Sequence, residues 1–140
     1  MKTTDELMQA LTFPDGSLDD FLTENADTFI TVSPAEEWDR MLNASSWKKA
    51  EIINRCQFNP VYFYEVINGK KIPSRDKVLR LLFGFSASLT DCQRILRVYG
   101  YSPLYPRISR DSLLIHAICR AFSVEEIQRL LVSHGEEPLA

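Results

Sequence analysis

Apolar residues at Ala50, Ile53, Phe58, Phe63 and Val66 recur in steps of three, five, five and three. Steps of three keep side chains on one helical face, and the fives carry that face across the breaks between helices. The stretch 47–74 therefore predicts a short amphipathic helix, a tight turn, a second short helix and a sharp stop. Asn59 suits the cap of the second helix, and Pro60 suits its first turn, where a missing N–H costs nothing. Asn68-Gly69 supplies the left-handed residue that ends it. Tyr62, Phe63 and Val66 are expected in the core.

Upstream, Thr3 and Glu6 stand at capping-box spacing ahead of a helix with Leu7, Met8 and Leu11 on its apolar face. Phe13-Pro14-Asp15-Gly16 reads as a turn, after which Ser17 caps a helix from residue 18 to about 25. Ser33-Pro34-Ala35-Glu36 opens a further helix, running to about residue 42, whose Trp38, Met41 and Leu42 face inward.

Downstream the chain repeats itself. A shift of 35 residues aligns Ser74-Arg75-Asp76 with Ser109-Arg110-Asp111, and residues 88–104 with 123–139 at seven identities in seventeen positions. Each copy predicts a helix capped by Ser74 or Ser109 and a second capped by Ser88 or Ser123. Gly100 or Gly135 then follows at the C′ position, with a proline beyond. A period of this length built from two helices predicts a duplicated helical hairpin that extends the core or forms a dimer face. No strand pattern occurs anywhere, and the fold class expected is all-α.

The residues from Trp47 through Glu51 and Ile52 to Asn68-Gly69-Lys70 and Pro73-Ser74 resemble the helix-turn-helix of lambda-repressor-like (Xre-type) DNA-binding domains. In that family a helix of pattern Φ-x-x-x-E-Φ-A precedes a recognition helix ending in N-G-K-x-x-P-S. The glycine usual in the turn is Gln57 here. The resemblance covers about residues 33–101 and implies a helix-turn-helix bundle, a dimer on a roughly palindromic site, and no cofactor. The organisation expected is an acidic helical arm (1–32), the Xre-like domain (33–104) and a C-terminal hairpin packed on the same core (105–140). The arm is expected to serve packing or dimerisation ahead of covering the basic face.

Charge gives the resemblance its weight. The net charge is −3, but residues 1–45 hold two basic and ten acidic side chains, residues 46–110 twelve and four, and residues 111–140 two and five. A basic middle between acidic ends is the pattern of one face that meets phosphate while the rest stays soluble. Packing of opposite segments on one another would give the same pattern. The opening MKTTDELMQAL lacks the basic-then-apolar layout of a signal peptide, and no apolar run reaches membrane length, so a cytoplasmic chain without membrane contact is expected. Cys56, Cys92 and Cys119 are expected as reduced core thiols.

Catalytic signals are absent from the sequence. His116 and His134 lack a cysteine or carboxylate at metal-ligand spacing, and no phosphate-cradling loop or nucleophile elbow occurs. His116 is expected in the core or at its boundary, and His134 at a helix C-terminus favoured by the dipole. No enzyme, metal or cofactor is expected. Lys48, Lys49, Lys70, Lys71, Arg75 and Lys77 bracket the predicted helix pair and suit backbone phosphates. The outward positions of the second helix hold Asn59, Pro60, Val61, Tyr64 and Glu65. Asn59 or Tyr64 suits contact with a base, Val61 a thymine methyl, and Glu65 a cytosine amine, although its charge otherwise repels the duplex. The expected function is a transcriptional regulator reading double-stranded DNA through the 59–67 helix. The alternative is an interaction module on the same scaffold with lost or weak DNA readout, in which Pro60, Val61, Tyr64 and the basic rim dock a protein partner or the chain's own acidic arm.

Overall fold

The computed structural model describes residues 2–12, 17–26 and 32–140. They form nine helices with no strand among the described residues, so the protein is all-α. None of these helices is long and apolar enough to cross a membrane. The chain divides into two compact units, Met1–Thr31 and Val32–Ala140.

The first unit contains α1 (Thr4–Thr12) and α2 (Leu18–Glu24), which pack on each other. Thr3 Oγ1 accepts from the Glu6 N–H at 3.2 Å, and Ser17 Oγ accepts from the Asp20 N–H at 3.3 Å. Each oxygen satisfies one of the orphan donors at a helix start. The turn expected at 13–16 lies outside the described residues.

The second unit contains α3 (Pro34–Ala44), α4 (Lys49–Cys56), α5 (Pro60–Ile67), α6 (Arg75–Phe85), α7 (Leu89–Val98), α8 (Ser109–Cys119) and α9 (Val124–Ser133). Their starts are set locally: Ser33, Ser74, Ser88 and Ser123 each accept from the N–H three residues on. Ser109 departs from the expectation, because α8 begins one residue early, with Ile108 in the cap position and the Ser112 N–H donating to the Ile108 carbonyl. Residues 105–108 close a turn that delivers the chain directly into the helix, whereas Ser74 is entered from an extended segment.

The core runs unbroken from Trp38 on α3 through Ile52, Phe63, Leu82 and Leu96 to Ile127 and Leu131 on α9. Helices α4 and α6 pack tightly at Gly84, where an added Cβ would lie 2.7 Å from Cys56 Cβ and 3.0 Å from the Cys56 amide nitrogen. Trp38 donates its indole N–H to the Tyr99 hydroxyl at 2.7 Å and ties α3 to α7. Glu37, 1% exposed, joins the same two helices: Arg94 donates to its Oε1 and Arg40 to its Oε2. Three expected interior positions are corrected. Ala50, His116 and Cys119 are exposed, since the inward face of α4 passes through Ile52, Ile53 and Cys56 and that of α8 through Leu114, Ala117 and Ile118. Cys56 and Cys92 are buried, as expected of core thiols.

The sequence repeat is a structural repeat, and the duplicated hairpin extends the core. Helices α6 and α7 correspond to α8 and α9, and the two hairpins meet reciprocally, α6 on α9 and α7 on α8. Gln93 clasps the backbone of Leu104 through both its N–H and its carbonyl, at 2.7 and 2.9 Å, and Gln128 holds Leu139 likewise, at 2.7 and 2.8 Å. Both leucines are thereby folded back into the core. Gly100 and Gly135 share a positive φ of 77° and 73°, which lets each chain reverse after its helix. The shared arginine differs in use: Arg94 grips buried Glu37, whereas Arg129 makes a long exposed pair with Glu125 at 3.9 Å.

Candidate nucleic-acid interface

Helices α4 and α5 are joined by Gln57, Phe58 and Asn59. Gln57 takes the left-handed conformation, φ 59° and ψ 36°, that glycine adopts most readily. Two arginines fix this corner. Arg80 donates to the carbonyls of Cys56 and Gln57 at 3.0 and 2.6 Å, lies 4.8 Å from the Phe58 ring centre, and reaches the Ala140 carbonyl at 3.0 Å. Arg55 donates to the Gly84 carbonyl at 2.8 Å and to the Ser86 hydroxyl, with its guanidinium 4.2 Å from the centre of the Trp47 ring. Sequence reading gave neither arginine a role. Their hydrogen-bond partners lie more than twenty residues away, and local pattern carries no trace of them.

Asn59 caps α5 as expected, its Oδ1 accepting from the Val61 and Tyr62 N–H groups at 2.9 and 3.5 Å. Phe63, Val66 and Ile67 are buried, which turns Val61, Tyr64, Glu65 and Asn68 to the opposite side of the helix. Val61 is 66% exposed and Tyr64 41% exposed. Lys48 caps α4 with no side-chain hydrogen bond, having no acceptor to offer, and its own N–H donates to Glu51 at 3.4 Å.

The basic residues divide into two groups. Lys49 extends from the start of α4 to within 6.0 Å of the Tyr64 ring centre, so the first turn of α4 adjoins the outward face of α5. Lys71 pairs with Glu65 at 3.2 Å and lies 5.9 Å from the Tyr62 ring, on which Lys77 also rests, at 4.7 Å. Half-buried Tyr62 thus serves as a platform for two ammonium groups, a role beyond the core packing expected of it. Its burial also raises its phenol pKa above the ordinary value. Lys48 and Lys70 are exposed and form no ion pair among the described residues.

Arg75 is turned away from this group. It donates to the carbonyls of Ser102 and Pro103 and to both oxygens of buried Asp111, at 2.9 to 3.3 Å. Arg110 is engaged in the same manner with Glu137, Pro138 and Asp76. An arginine holding four internal hydrogen bonds is not free to grip a phosphate, which removes Arg75 from the expected contacts. Glu65, expected either to accept from a base or to repel the duplex, instead has its charge balanced by Lys71.

His134 closes α9, its Nδ1 lying 3.0 Å from the Leu130 carbonyl, the helix-terminal place expected for it. Among the described residues no cluster of His, Cys, Asp and Glu is arranged to hold a metal ion. No protein-family model, curated protein or solved structure matches the chain.

Proposed function

We propose that this protein binds double-stranded DNA as a transcriptional regulator, with the α4–α5 pair as a helix-turn-helix and the outward face of α5 in the major groove. The observation that carries the reading is the lysine cluster: Lys49 lies by the Tyr64 ring, Lys71 pairs with Glu65, the single carboxylate of α5, and Lys77 rests on Tyr62, with exposed Lys48 and Lys70 beside Lys49 and Lys71 in the chain. Such a surface suits a groove lined on both sides by phosphate. The likeness to lambda-repressor-like domains agrees with it and implies a homodimer on a roughly palindromic site. Docking of a protein partner on Val61 and Tyr64 is the competing outcome.

The test is selection from randomised duplex DNA at moderate salt, with Lys48/Lys49/Lys70→Ala as the control. These three lysines hold no ion pair among the described residues, so the variant tests binding without loosening the fold. The wild type is expected to enrich a roughly palindromic motif. Its log affinity should fall with log salt by about 0.9 per phosphate contacted, and the control should lose roughly three such contacts. Equal behaviour of wild type and control, with nothing enriched, replaces DNA by a protein partner.

A further inference from the structure

Two of the polar side chains at the outward face of α5, Asn59 and Glu65, already carry intramolecular contacts. Bidentate recognition of adenine needs both the donor and the acceptor of an amide, and the Asn59 acceptor is occupied by two backbone N–H groups of its own helix. Recognition of cytosine by Glu65 draws on a carboxylate whose Oε2 is already paired with Lys71 at 3.2 Å. No arginine belongs to α5, and Arg55 and Arg80 are bonded to the backbone of α6 and of the corner. What remains at the first turn of α5 is the isopropyl group of Val61, 66% exposed, with the Tyr64 ring one turn on at 41%. In the major groove, the apolar group that differs between bases is the thymine 5-methyl.

Resting on the DNA-binding reading above, we infer that α5 recognises its site through thymine methyl groups, with Val61 as the specificity-determining residue. The lysine rim supplies affinity and register, and Val61 supplies discrimination. Charge complementarity selects duplex DNA as the occupant of this exposed apolar turn, since lysines flank it and its single carboxylate is neutralised. A thymine methyl seated on Val61 is removed from water together with part of the isopropyl group, an effect worth about fourfold in affinity for each methyl covered.

Uracil isolates this effect, because it keeps every phosphate and every hydrogen-bonding group of thymine and lacks only the methyl. The experiment uses the full chain and two randomised duplex pools, one synthesised with thymine and one with uracil. The thymine-selected motif is then resynthesised with uracil at single positions. The expected result is a thymine-containing motif in which uracil at one or two positions weakens binding about fourfold each. Val61→Ala should bind the thymine and uracil duplexes alike while keeping the wild-type salt dependence. Equal affinity of the wild type for both duplexes, or discrimination that persists in Val61→Ala, overturns the inference and leaves DNA binding standing. Failure to bind either pool at low salt overturns the DNA reading itself, and the inference with it.

Discussion

Arg75 donates to both carboxylate oxygens of Asp111, at 3.2 and 3.0 Å, across a separation of 36 residues. The equivalent pair in the repeat is crossed back the other way, with Arg110 on Asp76 at 2.8 and 2.9 Å. The reciprocity extends to the backbone: Asp111 also accepts from the Tyr105 N–H, and Asp76 from the Ala140 N–H, residues that are themselves 35 positions apart. Two copies of one hairpin are therefore joined by an approximate two-fold exchange of Arg-Asp forks, and each fork holds the tail of a hairpin as well as the partner carboxylate.

The two forks differ in burial, and so should their energetics. The Asp111 side chain is 3% exposed and that of Asp76 is 24% exposed. Asp111→Ala leaves a half-buried guanidinium and the Tyr105 N–H unmatched and is expected to cost about 3–5 kcal/mol. Asp76→Ala should cost less, about 1–3 kcal/mol, because water replaces part of what is lost. Urea unfolding of both variants measures the order, and a larger cost at Asp76 would contradict the account.

Gly84→Ala should be among the most damaging small substitutions. The new methyl meets the Cβ and backbone of Cys56 rather than a flexible side-chain tip, so α4 and α6 must move apart. A loss of about 1–3 kcal/mol is expected. Because α4 leads into the α5 corner, the proposed DNA binding should weaken in the same variant even where it remains folded. Thermal unfolding and duplex titration, run side by side, check both effects.

Gln57→Gly is expected to stabilise the protein. A left-handed residue bearing a Cβ costs roughly 1–2 kcal/mol, and glycine's greater freedom in the unfolded chain returns part of that, leaving a gain of about 0.5–1 kcal/mol. The Arg80 bond to the residue 57 carbonyl is retained because it involves backbone alone. A rise in the thermal midpoint is the readout, and Gln57→Val should lower it.

Acid should unfold the second unit through two carboxylates. Hydrogen bonds from Arg94, aided by Arg40, hold Glu37 below its ordinary pKa, and hydrogen bonds from Arg110 hold Asp76 below its own. A depressed folded value means that the unfolded chain takes up the proton first as pH falls. The stabilisation is therefore complete above the unfolded values, about 4.3 for glutamate and 3.9 for aspartate, and is lost as pH drops through the folded ones. Urea midpoints should stay level from pH 7 to 5 and fall below about pH 4.5. Glu37→Gln should start lower at pH 7 and fall less steeply, and parallel curves would show that Glu37 contributes nothing to the acid response.

Sequence alone carried the all-helical class, the serine caps of α2, α3, α6, α7 and α9, the stop at Gly69 and the 35-residue duplication, because each depends on residues a few positions apart or on direct self-comparison. It also carried the inward placement of Trp38, Phe63 and Val66, since helical period alone decides which side of a helix is apolar. Tertiary structure decided which charges are available. Lys48 and Arg75 read alike along the chain as basic residues beside helix starts, yet Lys48 is exposed while Arg75 is spent on an aspartate 36 residues away. The same holds for Tyr62, whose ring carries Lys77 from the start of α6 as well as packing inward. The availability of a long charged side chain is set by whichever opposite charge or free carbonyl the fold brings within about 3 Å. That distance is fixed by helix packing, and nothing in the local order of residues contains it.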